Sequence, residues 1–370
     1  MIKRLKVLKR GSGTDYVLLF AASFLVIFGL VALASASSYM AQTKFGDSYY
    51  YLKHQIFFGL SFGMLGLFLG MKIYYRYLEK LSVPIFIAGI ALTLLVYSPY
   101  GLEAGGASRW LKLGSISFQP SEILKLVFII YLAAWLSHDR ERQSHVWRSF
   151  IAFLLILAGV ILVLIKQPAT STAVILGTTA LGMYYLSGTK LRYVAGVILV
   201  GILGLAVVIY LTPYRWNRVK SFLNPEQNLQ TTGYQVNQAK IAIGSGGLLG
   251  VGYGQSTTKI KYLPEPIHDS IFAVIAEEFG FVGGVALITL LLVLILRMFI
   301  VAQQTRDKFG QLLLIGFGLL IALQSFVNIG AISGLLPLTG TPLPFISYGG
   351  TALAIFMTMI GIALNVARYS

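Results

Sequence analysis

Residues 285–301, VALITLLLVLILRMFIV, hold a single charged side chain, Arg297, and close an apolar run that begins at Ser270. A bilayer core about 30 Å thick takes roughly 20 apolar residues in a helix, because a helix satisfies its own backbone hydrogen bonds where no water is present. Nine other stretches read the same way, so the spans expected are 16–35, 55–71, 81–97, 120–136, 150–165, 172–186, 193–211, 270–301, 311–333 and 343–367. The fold class expected is an all-α integral membrane protein of ten transmembrane helices, with residues 1–370 forming one domain. Because 270–301 is long and carries Glu277 and Glu278, it reads as a short segment followed, after Gly283-Gly284, by a full span.

Composition excludes a soluble chain: 56% of the 370 residues are apolar and 11% are charged, against roughly 25% charged in soluble domains. The formal charge of +16 sits in short clusters between apolar runs, which is a topology signal and not a nucleic-acid surface. Lys and Arg number 17 on the loops that share the N-terminal side, against five (Lys44, Lys53, Arg109, Lys112 and Lys166) on the short loops opposite. Short basic loops stay cytoplasmic, so both termini, including the basic residues 1–14, are expected in the cytoplasm. The longest connection, 212–269 between the seventh and eighth spans, is then extracytoplasmic, and an ordered loop of that length is more often functional than a plain connector. The apolar stretch behind the basic N-terminus is too long for a signal-peptide core and is read as a retained helix. With no cysteine, disulfides and thiol chemistry are excluded. The scattered His54, His138, His145 and His268 form no zinc-ligand pair.

A charge at mid-bilayer costs about 2.5 to 3.5 kcal/mol on insertion scales, so each one calls for a reason. Glu122 and Lys125, in Gln119-Pro120-Ser121-Glu122-Ile123-Leu124-Lys125, stand three apart on one helix face and can pair. They either lock helix packing or shape an outward-opening polar cavity. Upstream, Arg109-Trp110-Leu111-Lys112 places two cations and an aromatic at the outer interface. That set suits an anionic headgroup or simply anchors a span. Asp269, where the long loop re-enters the membrane, reads as a helix N-cap or as a base able to take a proton from a sugar hydroxyl. The glycine-rich 244–254 lacks the strand and the Lys-Ser/Thr of a phosphate loop, and points to close backbone approach. Pro337, Pro342 and Pro344, followed by Ser347-Tyr348-Gly349-Gly350, imply a broken helix entry sheltered by protein or a water-filled cavity.

Together these segments resemble the SEDS family (shape, elongation, division and sporulation), to which FtsW and RodA belong. The match runs through Gly106 to Leu113, Phe118 to Glu122, Pro213-Tyr214-Arg215, Gly233-Tyr234-Gln235, Ala242 to Gly247, Leu263-Pro264-Glu265, Asp269 to Gly280, and Asn328 to Gly350. Pro213-Tyr214-Arg215 looks more like the division (FtsW) branch. The resemblance implies a multi-pass protein of the bacterial cytoplasmic membrane that polymerises peptidoglycan from lipid II, releasing undecaprenyl pyrophosphate. It also implies as partners a class B penicillin-binding transpeptidase and other division or elongation membrane proteins. It places the family's essential aspartate at Asp269. Arg109, Trp110, Lys112, Gln119, Ser121, Glu122, Lys125, His268 and Ser347 are assigned to substrate, Arg109 and Lys112 on the pyrophosphate. Two departures stand out: Gln167-Pro168-Ala169 where many members carry Gln-Pro-Asp, and Ile267-His268-Asp269 where members read His-Thr-Asp. No nucleotide is needed, since the activated lipid carries the energy. A divalent cation could bridge the phosphates, although no acidic cluster demands one and no metal ligand is assigned. The alternatives are a lipid II flippase, served by the same cationic pocket, and a non-catalytic scaffold for a transpeptidase.

Overall fold

The computed structural model describes residues 13–104, 107–113, 116–138, 146–223 and 232–370. The basic residues 1–12, Gly105-Gly106 and part of the long loop, 224–231, lie outside the described residues. Helices α1 (Tyr16–Phe45), α2 (Tyr50–Lys72) and α3 (Ser82–Tyr97) precede strands β1 (Gly101–Ala104), β2 (Ala107–Leu113) and β3 (Ile116–Phe118). Then come α4 (Pro120–Ser137), α5 (Val146–Lys166), α6 (Thr170–Leu186), α7 (Leu191–Tyr210), α8 (Pro213–Leu223), α9 (Thr232–Ser245), α10 (Ile271–Gln304), α11 (Lys308–Ile332) and α12 (Gly350–Arg368). Among the described residues α1, α2, α4, α5, α7, α10, α11 and α12 are long and apolar enough to cross a membrane. Shorter helices α3 and α6 fall on the third and sixth expected stretches.

Burial separates the inner helices from the lipid-facing ones: the apolar window of α4 is 78% buried and that of α7 only 11%. On α7, Leu199, Ile202, Leu203 and Val207 are exposed, the arrangement that a hydrocarbon solvent allows and water does not. Polar clasps fix one end of the bundle. Asp15 caps α1 by accepting from Leu18 N at 3.0 Å and pairs with Arg297 Nη2 at 2.8 Å. Asp307 caps α11 through Gly310 N and pairs with Arg76 Nη2 at 2.9 Å. Asp269 lies ahead of α10, whose far end carries Arg297, so it occupies the end opposite Asp15.

Four expectations need correction. The chain is not purely helical, because Gly101–Ala104, Ala107–Leu113 and Ile116–Phe118 pair as a three-stranded antiparallel sheet of order β1-β2-β3. Along β2 the buried Leu111 is followed by the exposed Lys112, the alternation of a half-buried strand. Second, α1 runs on to Phe45 and not 35, since Ser35 finds buried polar partners and Gly46, in the left-handed region at φ 71°, ends the helix. Third, α10 breaks at Gly280 (φ 67°, ψ −166°) and not after Gly283-Gly284. The glycine-rich segment docks there: Val251 N and Gly252 N donate to Glu277 O and Glu278 O, and Phe281 N and Val282 N to Gly247 O and Leu248 O. Fourth, the last helix begins at Gly350, not 343. Proline cannot donate a backbone hydrogen bond, and 343–349, with Phe345 at φ 66°, is instead held by turn bonds to Leu343 O and by the side chains of Ser347 and Gln55.

Candidate active site

Asp269 sits on the short segment between Pro264-Glu265-Pro266 and α10, and is 8% exposed. The N-cap position belongs to Ser270, with no side-chain cap, so the capping role considered for Asp269 does not apply. Instead Gln235 of α9 donates from Nε2 to Asp269 Oδ1 at 3.1 Å and to Ser270 Oγ at 2.9 Å. Ser270 Oγ donates onward to Pro264 O at 2.9 Å. Asn328 of α11 donates to Asp269 O at 3.0 Å and to Thr341 O at 2.7 Å. The second carboxylate oxygen, Oδ2, faces Gly340, at φ 66°, where a Cβ would lie 3.9 Å from it. Burial, reinforced by the negative charge of Glu265, pushes the Asp269 carboxyl up to about 6, against the opposing effects of Gln235 and the Arg218 charge. A carboxylate poised there is ionised at neutral pH yet basic enough to accept a proton.

The 338–349 segment forms the opposite wall. Ser347 Oγ donates to His268 O and accepts from Leu343 N, while Tyr348 N donates to Ile267 O at 2.8 Å. Next to it a cavity of about 620 Å³ is lined mostly by apolar groups of α2, β2, β3 and α12, with Trp110, His54, His268 and Tyr348 among its walls. Tyr348 Oη and His54 Nδ1 are 2.9 Å apart. Such a volume, with a few polar groups among mostly apolar walls, fits an amphiphile.

Sequence matches the FtsW/RodA/SpoVE cell cycle protein family over residues 15–370. The chain belongs to that family. It is 38% identical to the probable peptidoglycan glycosyltransferase FtsW of Geobacter sp. (strain M18) over 97% of this chain and 98% of the relative. Stage V sporulation protein E of Bacillus subtilis (strain 168) is 35% identical over 96% and 97%. A chain from a peptidoglycan synthase complex, solved for the structural coordination of polymerization and crosslinking, superposes with a TM-score of 0.79 at 29% identity over 96% of this chain and 98% of that one. RodA of Thermus thermophilus superposes at 0.72 and 29% over 96% and 98%. This FtsW/RodA/SpoVE protein is a multi-pass protein of the bacterial inner membrane.

The assigned substrate residues in this FtsW/RodA/SpoVE chain divide into two groups. Trp110 and His268 share the cavity wall, and Ser347 braces His268 from behind. Arg109 is committed to the 167–168 turn, donating to Gln167 O at 3.2 Å and Pro168 O at 2.7 Å, and Lys112 is exposed. Ala169, where the resemblance expects a carboxylate, is buried. Glu122 and Lys125 lie 2.7 Å apart at 3% and 2% exposure, so the pair serves the interior. Lys125 also donates to Gln324 Oε1 at 2.8 Å, and Gln324 Nε2 to Pro342 O at 2.8 Å, which ties α4 to the wall facing Asp269. Gln119 N donates to Thr351 Oγ1, and Ser121 Oγ is buried without a hydrogen-bond partner among the described residues. Among these residues no three His, Asp or Glu group to hold a metal ion.

Gln235, Asn328 and Tyr348 lie in the quoted sequence segments but were given no role of their own, and Gln324 was not singled out. The available signal was Gln324 and Asn328, two amides four apart in an apolar helix, which had to share a face. Glu277 and Glu278 were noted but given no role. Glu277 accepts from Ser256 Oγ at 2.6 Å, from Thr257 N at 3.1 Å and from Thr258 Oγ1. Glu278 pairs with Lys259 Nζ at 2.6 Å and accepts from Ser35 Oγ. Both carboxylates thus pin the loop that leads to Asp269.

Proposed function

We propose that this chain polymerises peptidoglycan glycan strands from lipid II, with Asp269 as general base. Asp269 takes the proton of the acceptor sugar's 4-hydroxyl, and the freed oxygen attacks the anomeric carbon of the growing chain. The bond from that carbon to the phosphate oxygen breaks, undecaprenyl pyrophosphate leaves, and the configuration inverts. The single observation that carries this reading is Asp269 itself: a buried carboxylate, clamped by Gln235 on one oxygen, next in sequence to His268 in the wall of a cavity of amphiphile size. The relatives named as peptidoglycan glycosyltransferases support the same chemistry.

Trp110, His268 and Tyr348 border the lipid-linked substrate. Arg109 and Lys112 lie on the strand bordering that cavity, and their charge offsets that developing on the leaving pyrophosphate. Glu122 and Lys125 act indirectly, by holding Pro342. Likeness to a chain of a peptidoglycan synthase complex supports a transpeptidase partner, of the class B penicillin-binding type. The test is glycan formation from purified lipid II in detergent, where no membrane sides exist. Wild-type protein should make strands, and Asp269→Asn should lower the rate by about 100- to 10,000-fold. A flippase or scaffold makes none, and an active Asp269→Asn variant removes Asp269 from the mechanism.

A further inference from the structure

Aromatic rings continue outward from the catalytic loop in a connected series. His268, next to Asp269, packs on Tyr348 with ring centroids 5.4 Å apart, and Tyr348 meets the edge of Tyr51 at 5.2 Å. Tyr51 in turn lies 5.7 Å from Phe45, which stacks on Tyr50 at 3.8 Å and 12°. Phe45 and Tyr50 are 48% and 39% exposed, so the outer end of the series leaves ring surface uncovered by the protein. Beside it, Glu265 is held with a backbone φ of 49° between two prolines, clamped by His268 N and Ser270 N donating to its carbonyl. A non-glycine residue in the left-handed region is strained and persists only where its surroundings enforce it. The conformation leaves the Glu265 side chain 61% exposed, 3.7 Å from His268 Nε2.

We propose that Phe45, Tyr50, Tyr51, Tyr348, His268 and Glu265 form a saccharide subsite that holds the glycan strand as it leaves Asp269; this rests on the polymerase reading above. Pyranose rings present C–H groups on their faces and hydroxyls around their rims. Aromatic faces pack the first, and tyrosine hydroxyls, imidazole and carboxylate bond the second. The carboxylate decides between occupants: it repels the phosphate of a lipid headgroup and accepts from neutral sugar hydroxyls. Continuity with the residue preceding Asp269 places the subsite where a product strand has to pass.

The test uses Tyr50→Leu in the purified full chain, read in two ways. With lipid II as substrate, strand length should fall roughly 2- to 10-fold, the range of one lost ring stack, while initial lipid II consumption stays near wild type. Saturation-transfer NMR should show a soluble β-1,4-linked N-acetylglucosamine hexamer binding the wild type and losing its signal in Tyr50→Leu. Tyr50→Phe, which keeps the ring, should behave as wild type in both, and Phe45→Leu should reproduce Tyr50→Leu, which guards against a folding defect at one position. Unchanged strand length or unchanged hexamer binding in the Leu variants overturns the subsite and leaves the rings as a membrane-interface belt. Failure of the wild type to make any strand sinks the polymerase reading instead, whatever the hexamer does.

Discussion

Gln235 Nε2 stands 3.1 Å from Asp269 Oδ1, so a side chain from the long connection between α7 and α10 orients the carboxylate at the head of α10. The same amide reaches Ser270 Oγ, which makes the base and the helix start one rigid unit. With Oδ1 occupied, the proposed mechanism assigns proton transfer to Oδ2, on the Gly340 side.

Polymerisation should decline as pH falls through about 6, where the Asp269 carboxyl takes up a proton and ceases to act as a base. The measurement is initial rate against pH with saturating lipid II, between pH 5 and 8 in steps of about half a unit. A flat acid limb would show that Asp269 does not titrate in that range.

Loss of the Asp269 charge should not weaken the fold. Its carboxyl is raised from 3.8 to about 6, so the ionised form is disfavoured in the folded state, by on the order of 3 kcal/mol at neutral pH. The sign follows: fold stability rises as pH falls through about 6 towards 4, and Asp269→Asn should melt no lower than wild type at pH 7.5. A lower melting temperature for that variant would mean that the charge is structurally needed.

Gln235→Leu removes the donor that favours the charged carboxylate. The acid limb should then move to higher pH, with activity partly recovered at pH 8. A purely structural defect would lower the rate at every pH by the same factor, and the pH profile separates the two.

Breaking the Glu122–Lys125 pair on one side leaves a buried charge without compensation, at a cost of about 3 to 5 kcal/mol. Lys125→Met should therefore lower the melting temperature sharply, and Glu122→Gln/Lys125→Met should recover much of the loss. Equal melting of the single and double variants would place the pair outside the energetics of the fold.

At Gly280 a Cβ would lie 2.3 Å from Gly250 N and 2.5 Å from Leu248 O, at a φ of 67°. Gly280→Ala should dislodge the glycine-rich segment and with it the loop pinned by Glu277 and Glu278. Protease sensitivity of 246–262 is the readout, and wild-type resistance would show that the backbone contact is dispensable.

The apolar periods fixed which stretches become helices, because lipid leaves a spanning backbone few alternatives, and each stretch read from sequence falls on a helix of the structure. Asp269, Trp110 and His268 were singled out from their position and from the family resemblance, and the fold brings Trp110 and His268 to one cavity wall, with Asp269 next in sequence. Other features required the folded chain. Whether Asp269 caps its helix, which carbonyls hold Arg109, and where α10 breaks depend on groups far apart in sequence, such as Gln235 with Asp269 and Gly250 with Gly280. Local propensity could not see those encounters. A buried carboxylate takes its basicity from its neighbours, and only tertiary packing chooses them.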